Sequence, residues 1–263
     1  MDHTASSIYR IDPHIALASV EETITTALSR LPHGVTVSVF FRADDIGVPS
    51  YNFYAMTDCF TRHNLPLCLA VVPAWLTGAR WEAIRKRVNT SLPLWCWHQH
   101  GWSHRNHEPA GKKYEFGPSR TGPEIETELM RGRIRLESLL GDEFSPFFTP
   151  PWNRCSPLTM DALTRLQYSG ISRSRGEQKK PAPLPDLYIN IDLHTRKESD
   201  PHASLHNLCG EFTAAIDNAH VGIMLHHQRM DRPALLFLDG LLRIIAAQPR
   251  LKACDFNQLI RSP

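Results

Sequence analysis

The sequence predicts an α/β fold in which parallel strands, joined by crossover helices, close into a barrel. Three observations lead there. Short, almost continuously apolar runs alternate with segments of helical periodicity along the 263 residues, the pattern of a parallel sheet covered on both faces. No internal repeat and no domain-sized linker interrupts the alternation, and single α/β barrels commonly reach this length, so one domain over residues 1–263 is expected. Polar residues of chemical interest gather after four or five different strand ends: Asp44/Asp45, His98/His100/His104, Pro151/Trp152, Asp192/His194 and His226/His227. A barrel brings all its C-terminal strand ends around one mouth, whereas an open sheet gathers only those beside its switch point.

The elements follow in order. Residues 20–31 are rich in helix formers and stop at Pro32-His33-Gly34. Residues 35–41 (VTVSVFF) read as a strand buried on both faces, with the acidic pair just beyond it. Pro49-Ser50 turns into a helix over 51–62. Residues 67–72 (LCLAVV) are the second strand, closed by Pro73, and 81–88 are helical. Residues 92–97 make the third strand, with the histidine-rich segment after its end. The polar stretch 105–122 is longer than an ordinary connection, which points to a functional loop. Residues 124–140 carry Ile125, Leu129, Leu136 and Leu140 near helical spacing and end at Gly141. A short strand over 146–149 runs into Pro150-Pro151-Trp152. Ser156 and Pro157 open a helix to about 168, and 170–172 form a brief strand. A Lys/Pro-rich loop covers 177–185. Residues 187–193 (LYINIDL) read as a strand, 205–219 as a helix, 221–225 (VGIML) as a buried strand and 233–247 as a helix. Residues 251–260 add a last strand or a short helix.

Composition narrows the function. An apolar fraction of 42%, a charged fraction of 21% and a net charge of +2 describe an ordinary globular chain. There is no Lys/Arg block to track phosphates, so nucleic acid is not expected as a partner. No stretch approaches the ~18 apolar residues of a membrane span. The start, Met1-Asp2-His3-Thr4, lacks a basic and apolar leader, and the six scattered cysteines form no C-x-x-C pair. A reduced cytoplasmic setting is expected, with removal of a leader and homo-oligomer formation left open.

The chemistry centres on Trp97-His98-Gln99-His100-Gly101-Trp102-Ser103-His104. His100 and His104, four apart, can converge on one metal ion, and the acidic pair offers a third ligand. Two imidazoles and a carboxylate suit Zn, Fe, Co, Ni or Mn and leave open coordination positions, the mark of a catalytic metal. Neighbouring side chains of an extended segment point to opposite sides. Of Asp44 and Asp45, one can therefore bind metal while the other serves as base. Taken singly, each motif has an ordinary reading: a turn or helix cap for Asp-Asp, a core or surface role for the histidines, a stiff turn for Pro150-Pro151-Trp152. Their joint placement beyond buried strands favours a site. Gly101 stands where the zincin pattern H-E-x-x-H needs Glu.

The order of these motifs resembles the polysaccharide deacetylase family (NodB homology, carbohydrate esterase family 4), over about residues 35–227. The resemblance implies a distorted (β/α)7 barrel, NodB-like and related to the TIM barrel. It also implies a metal-dependent hydrolase that removes acetyl groups from N-acetylated sugars or related compounds, with metal-bound water as nucleophile. Arg42-Ala43-Asp44-Asp45-Ile46-Gly47 corresponds to the first motif, which makes Asp44 the catalytic base and Asp45 a metal ligand. His100 and His104 match the second motif and supply the other two ligands. Phe148-Thr149-Pro150-Pro151-Trp152 is similar to the third, with Pro151 and Trp152 lining the substrate groove. Leu225-His226 matches the last, making His226 the catalytic acid, oriented by Asp192. The expected ion is divalent, zinc first, with cobalt, nickel, iron or manganese as alternatives. The chain departs from the family where the first motif has Arg42-Ala43 for Thr-Phe and where Thr149 replaces the third-motif arginine. Arg42 or Arg154 can take over the pairing with the base. The departures imply a divergent branch acting on a smaller or intracellular acetylated compound. A related amide hydrolase of non-sugar substrates and a non-catalytic carbohydrate-binding barrel are the alternatives.

Overall fold

The computed structural model describes residues 5–177 and 183–261; residues 178–182, most of the expected Lys/Pro-rich loop, lie outside them. In chain order the regular elements are α1 (Pro13–Arg30), β1 (Val37–Ile46), α2 (Tyr51–His63), β2 (Leu67–Val71), α3 (Gly78–Arg85), β3 (Trp95–His100), α4 (Gly122–Leu140), β4 (Phe144–Thr149), α5 (Pro157–Arg165), β5 (Gly170–Ile171), β6 (Ile191–Asp192), α6 (Pro201–Asp217), β7 (His220–Leu225), α7 (Arg232–Ala247), β8 (Leu251–Ala253) and α8 (Phe256–Arg261). Helix starts are written in the sequence. Asp12, Ser50, Thr77, Ser156, Asp200 and Asp231 each accept a backbone N–H of the first turn, satisfying donors that the helix itself cannot.

The chain forms two compact units, each assembled from separate segments: Met1–Ala43, Ser50–Leu67 and Asn190–Leu259 in the first, Asp44–Pro49, Cys68–Ile189 and Ile260–Pro263 in the second. In the first, β7 lies parallel to β1, with Phe41 opposite Ile223 and Ala43 opposite Leu225. The two-residue β6 adds to β7, and β8 pairs with β1 at Val37–Val39. Val37, Val39, Phe40, Phe41 and Ala43 are all buried, which explains the unbroken apolar run. In the second unit, β3, β4 and β5 are parallel neighbours. A core of Phe116, Ile125, Leu129, Phe148, Leu163, Tyr168 and Ile171 lies under α4 and α5.

Several boundaries differ from expectation. β1 runs on through the acidic pair to Ile46, whose carbonyl accepts Val72 N–H at 2.7 Å; the polar residues hid a strand that continues. β3 starts at Trp95 and ends on His100 rather than before it. Between Trp97 and Gln99 the register against β4 shifts: Trp97 lies opposite Phe144 and Gln99 opposite Phe148, so the extra residues are on β4. The strand expected over 187–193 is regular only at Ile191–Asp192, with isolated bridges from Asp186 and Ile189. α1 begins seven residues before the expected start, at the Asp12-Pro13 cap.

Candidate metal centre

Three chain segments of the second unit meet at one point. Asp45 lies near the end of β1, His100 is the last residue of β3, and His104 follows on the loop. His100 Nε2 stands 3.3 Å and His104 Nε2 3.1 Å from the same Asp45 oxygen, Oδ1. One ligand atom from each residue lies within 4.8 Å of the others. Donors bound to zinc at about 2.1 Å with tetrahedral angles stand about 3.4 Å apart. Both the spacing and the chemistry of the donor set therefore fit a divalent ion held by Asp45, His100 and His104.

The surroundings orient these donors. His100 is opposite Thr149 in the β3–β4 register, and its Nδ1 lies 2.9 Å from the Thr149 carbonyl. A carbonyl only accepts, so Nδ1 carries the proton and the Nε2 lone pair faces Asp45, the tautomer a metal ligand needs. Burial pulls the His100 imidazole down, but the carboxylates of Asp45 and Asp44 and the Thr149 carbonyl outweigh it and hold it above its usual range. His104 is pushed down to about 4, by burial first and by the neighbouring His100 second, against Asp45. Its ring lies 4.5 Å from Trp152 and 5.7 Å from Trp75, centroid to centroid. His104 is thus neutral at neutral pH, as coordination requires.

Strain is concentrated at the same place. Asp45, His104, Trp152 and Asn153 have φ between 55° and 62°, and Gly101 has 61°. For residues with a side chain this left-handed backbone is costly and tends to mark functional sites.

The other residues singled out by sequence fall as follows. Asp44, buried at 3% exposure, precedes Asp45 and acts electrostatically on His100. Pro151 is buried and Trp152 half-buried in a one-turn helix after β4, with Arg154 beyond it. In the first unit Arg42 is fully buried, and its Nη2 donates to Met224 Sδ at 3.3 Å. His226 follows Leu225, the register partner of Ala43. Asp192 accepts the backbone N–H groups of His194 and Thr195 at 2.9 Å and also bonds the Thr195 hydroxyl. The group against His226 is His194, whose Nδ1 accepts the His226 N–H at 3.3 Å. Burial, then the charges of His226, Arg229 and His227, hold His194 well below the usual histidine range.

Sequence reasoning missed Trp75 and Glu115, and it noticed Thr149 and His194 without giving either a task. Thr149 looked only like a lost arginine, yet its carbonyl orients His100 and its hydroxyl lies 2.8 Å from His98 Nε2. Glu115 is fully buried and bonds the backbone around His104. The one signal for it was the length of the loop that carries it.

No protein-family model matches the chain, and no curated protein matches its sequence. Solved structures do. A Mycobacterium smegmatis protein assigned to the polysaccharide deacetylases superposes with a TM-score of 0.65 at 14% identity, over 88% of this chain and 91% of that one. A family 4 carbohydrate esterase from Streptomyces lividans, solved in complex with acetate, gives 0.50 at 10% identity over 86% and 94%. A mutant of a family 4 pseudoenzyme with restored enzymatic activity gives 0.53 at 10% identity over 86% and 68%. At these identities the likeness concerns architecture: the chain has the NodB-like, distorted (β/α)7 fold of the family 4 polysaccharide deacetylases.

Proposed function

We propose that this protein is a metal-dependent hydrolase that removes the acetyl group from an N-acetylated sugar or a related small compound. The convergence of Asp45, His100 and His104 carries this reading. The shared fold, and the acetate held by the Streptomyces lividans esterase, support it. Zinc is the first choice of ion, with cobalt, nickel, iron and manganese behind it.

When bound, the ion supplies Lewis-acid polarisation of the acyl oxygen and an acidified water. Asp44, next in the chain to a ligand, takes a proton from the attacking water. By the resemblance an arginine pairs with that carboxylate, and Arg42 or Arg154 is the candidate in place of the third-motif arginine. Trp152 and Pro151 present a rigid apolar wall for the sugar ring and exclude water. His226 gives a proton to the departing amine nitrogen, so acetate and a free amine leave. The backbone N–H of His226 is fixed by His194, and Asp192 supports that contact by bonding the His194 N–H. All six cysteines are thiols, which supports a reducing, cytoplasmic setting. No described helix is long and apolar enough to cross a membrane.

The test is acetate release from N-acetylated mono- and oligosaccharides and from non-sugar acetamides, with each metal added to chelator-treated protein. Release that depends on metal and fails in His104→Ala supports the proposal. Saturable sugar binding without acetate release under every metal condition would replace it with the non-catalytic reading, which the loss of the third-motif arginine at Thr149 favours.

A further inference from the structure

His104 has to be held. It sits beyond the end of β3, in a loop, with a left-handed backbone at φ 58°. That conformation is costly for a residue with a side chain, so the ligand geometry does not arise from the local chain alone.

The fully buried Glu115 supplies the missing constraint. Its Oε2 accepts Trp102 N–H at 3.1 Å. Its Oε1 accepts Ser103 N–H at 2.7 Å, the Ser103 hydroxyl at 3.1 Å and Arg105 N–H at 3.4 Å. The three amides bracket His104 on both sides. Gly101 completes the fit, since a Cβ there would lie 1.9 Å from Glu115 Oε2 and 2.6 Å from Pro151 Cγ. The next residue, Phe116, extends the tie: its carbonyl accepts Ser156 N–H at 2.8 Å and the Thr159 hydroxyl at 3.1 Å. Those partners follow the turn whose Trp152 packs, tilted, against His104. Thus 115–116 joins the ligand loop to the aromatic that packs on the ligand.

A loop stapled only for stability has cheaper solutions. Burying a carboxylate is expensive, and an apolar contact of similar volume commonly serves as well or better. What a carboxylate adds is direction, because it fixes several successive N–H groups at once. We propose that Glu115 is a positioning residue for the metal: without touching the ion, it sets the backbone that aims His104 Nε2 at Asp45, and so sets metal affinity. This rests on the metal site proposed above.

The experiment measures zinc affinity by chelator competition for the full chain, E115Q, S103A and H104A, together with amide hydrogen exchange and thermal unfolding of the chelator-treated proteins. E115Q should bind zinc roughly ten- to a hundredfold more weakly, the usual range for a partner one shell out from the ion. Its thermal midpoint should stay within about 5 °C of the parent's. The Trp102, Ser103 and Arg105 amides should be protected in the parent and exchange at least about tenfold faster in E115Q, while those of β3 do not change. S103A, which removes one of the four donors, should lose about two- to tenfold in affinity and serves as the variant if E115Q fails to fold. Unaltered zinc affinity in E115Q, or in S103A should that be the variant that folds, overturns the assignment. So does rapid exchange of the three amides in the parent. A parent chain that takes up no zinc refutes the metal site itself and this inference with it; a parent that binds zinc beside an unaffected E115Q refutes the role of Glu115 alone.

Discussion

Replacing Gly101 with alanine probes the packing around the ligand loop most directly. The backbone there has φ 61°, and the new methyl would meet Glu115 Oε2 at 1.9 Å and Pro151 Cγ and Cδ at 2.6 and 2.9 Å. Left-handed strain contributes about 1–2 kcal/mol. Glu115 must then retreat from amides it accepts at 2.7–3.4 Å, and loss of a charge-assisted hydrogen bond costs about 1.5–3 kcal/mol. A destabilisation of about 2.5–5 kcal/mol is expected, measured by urea unfolding of chelator-treated protein. Gly111 in the same loop is the control. It has φ 78°, but a Cβ there meets nothing within 4 Å, so Gly111→Ala carries the strain without the collision. G101A should exceed G111A by at least about 1.5 kcal/mol and should also lose zinc affinity. Equal losses in the two variants would mean that the carboxylate and the proline ring move aside without cost, and the tight seat described for Glu115 would be wrong.

Three further outcomes are expected. Asp44→Asn should keep its metal, by elemental analysis, and lose about 10²–10⁴-fold in turnover, the usual worth of a general base; a fully active variant removes Asp44 from that role. His100→Ala should lose bound metal and with it all metal-dependent acetate release; unchanged metal content would strike His100 from the ligand set. The third concerns pH. His194 is held neutral in the folded protein by burial, while the unfolded chain takes up its proton below the ordinary histidine pKa of about 6.5. Its contribution is therefore complete above pH ~6.5 and is lost as pH falls from there toward the depressed folded value. The loss reaches up to about 1.4 kcal/mol per pH unit. His194→Gln should reduce the difference in urea-unfolding stability between pH 7.5 and 5.5; an identical difference in the variant would contradict a neutral, buried His194.

The parts of the site legible in the sequence are those set by short covalent spacing. Asp44-Asp45 and His100-x-x-x-His104 announce themselves because the chain itself keeps them together, and buried apolar runs told where each segment would emerge. Strand ends were less legible. A run of polar residues reads as an end, yet β1 carries Arg42, Asp44 and Asp45 inside the strand. β6 is the opposite case: LYINIDL has strand character throughout, but most of it faces only isolated bridges and a loop. Glu115 was not legible, because its partners are backbone N–H groups, which every sequence possesses. Nor was the task of Asp192. The resemblance gave Asp192 the task of orienting His226, and its carboxylate bonds the amides of the next turn, His194 and Thr195.

Position 149 has a consequence for how such a site can change. Threonine there is fully buried, its carbonyl engaged by one imidazole and its hydroxyl by another. Arginine at 149 would have to enter filled space and leave His98 without the oxygen now beside its Nε2. Thr149 and His98 are thus coupled: an arginine placed at 149 by itself would disturb both imidazoles, and seating it would take a second change at position 98.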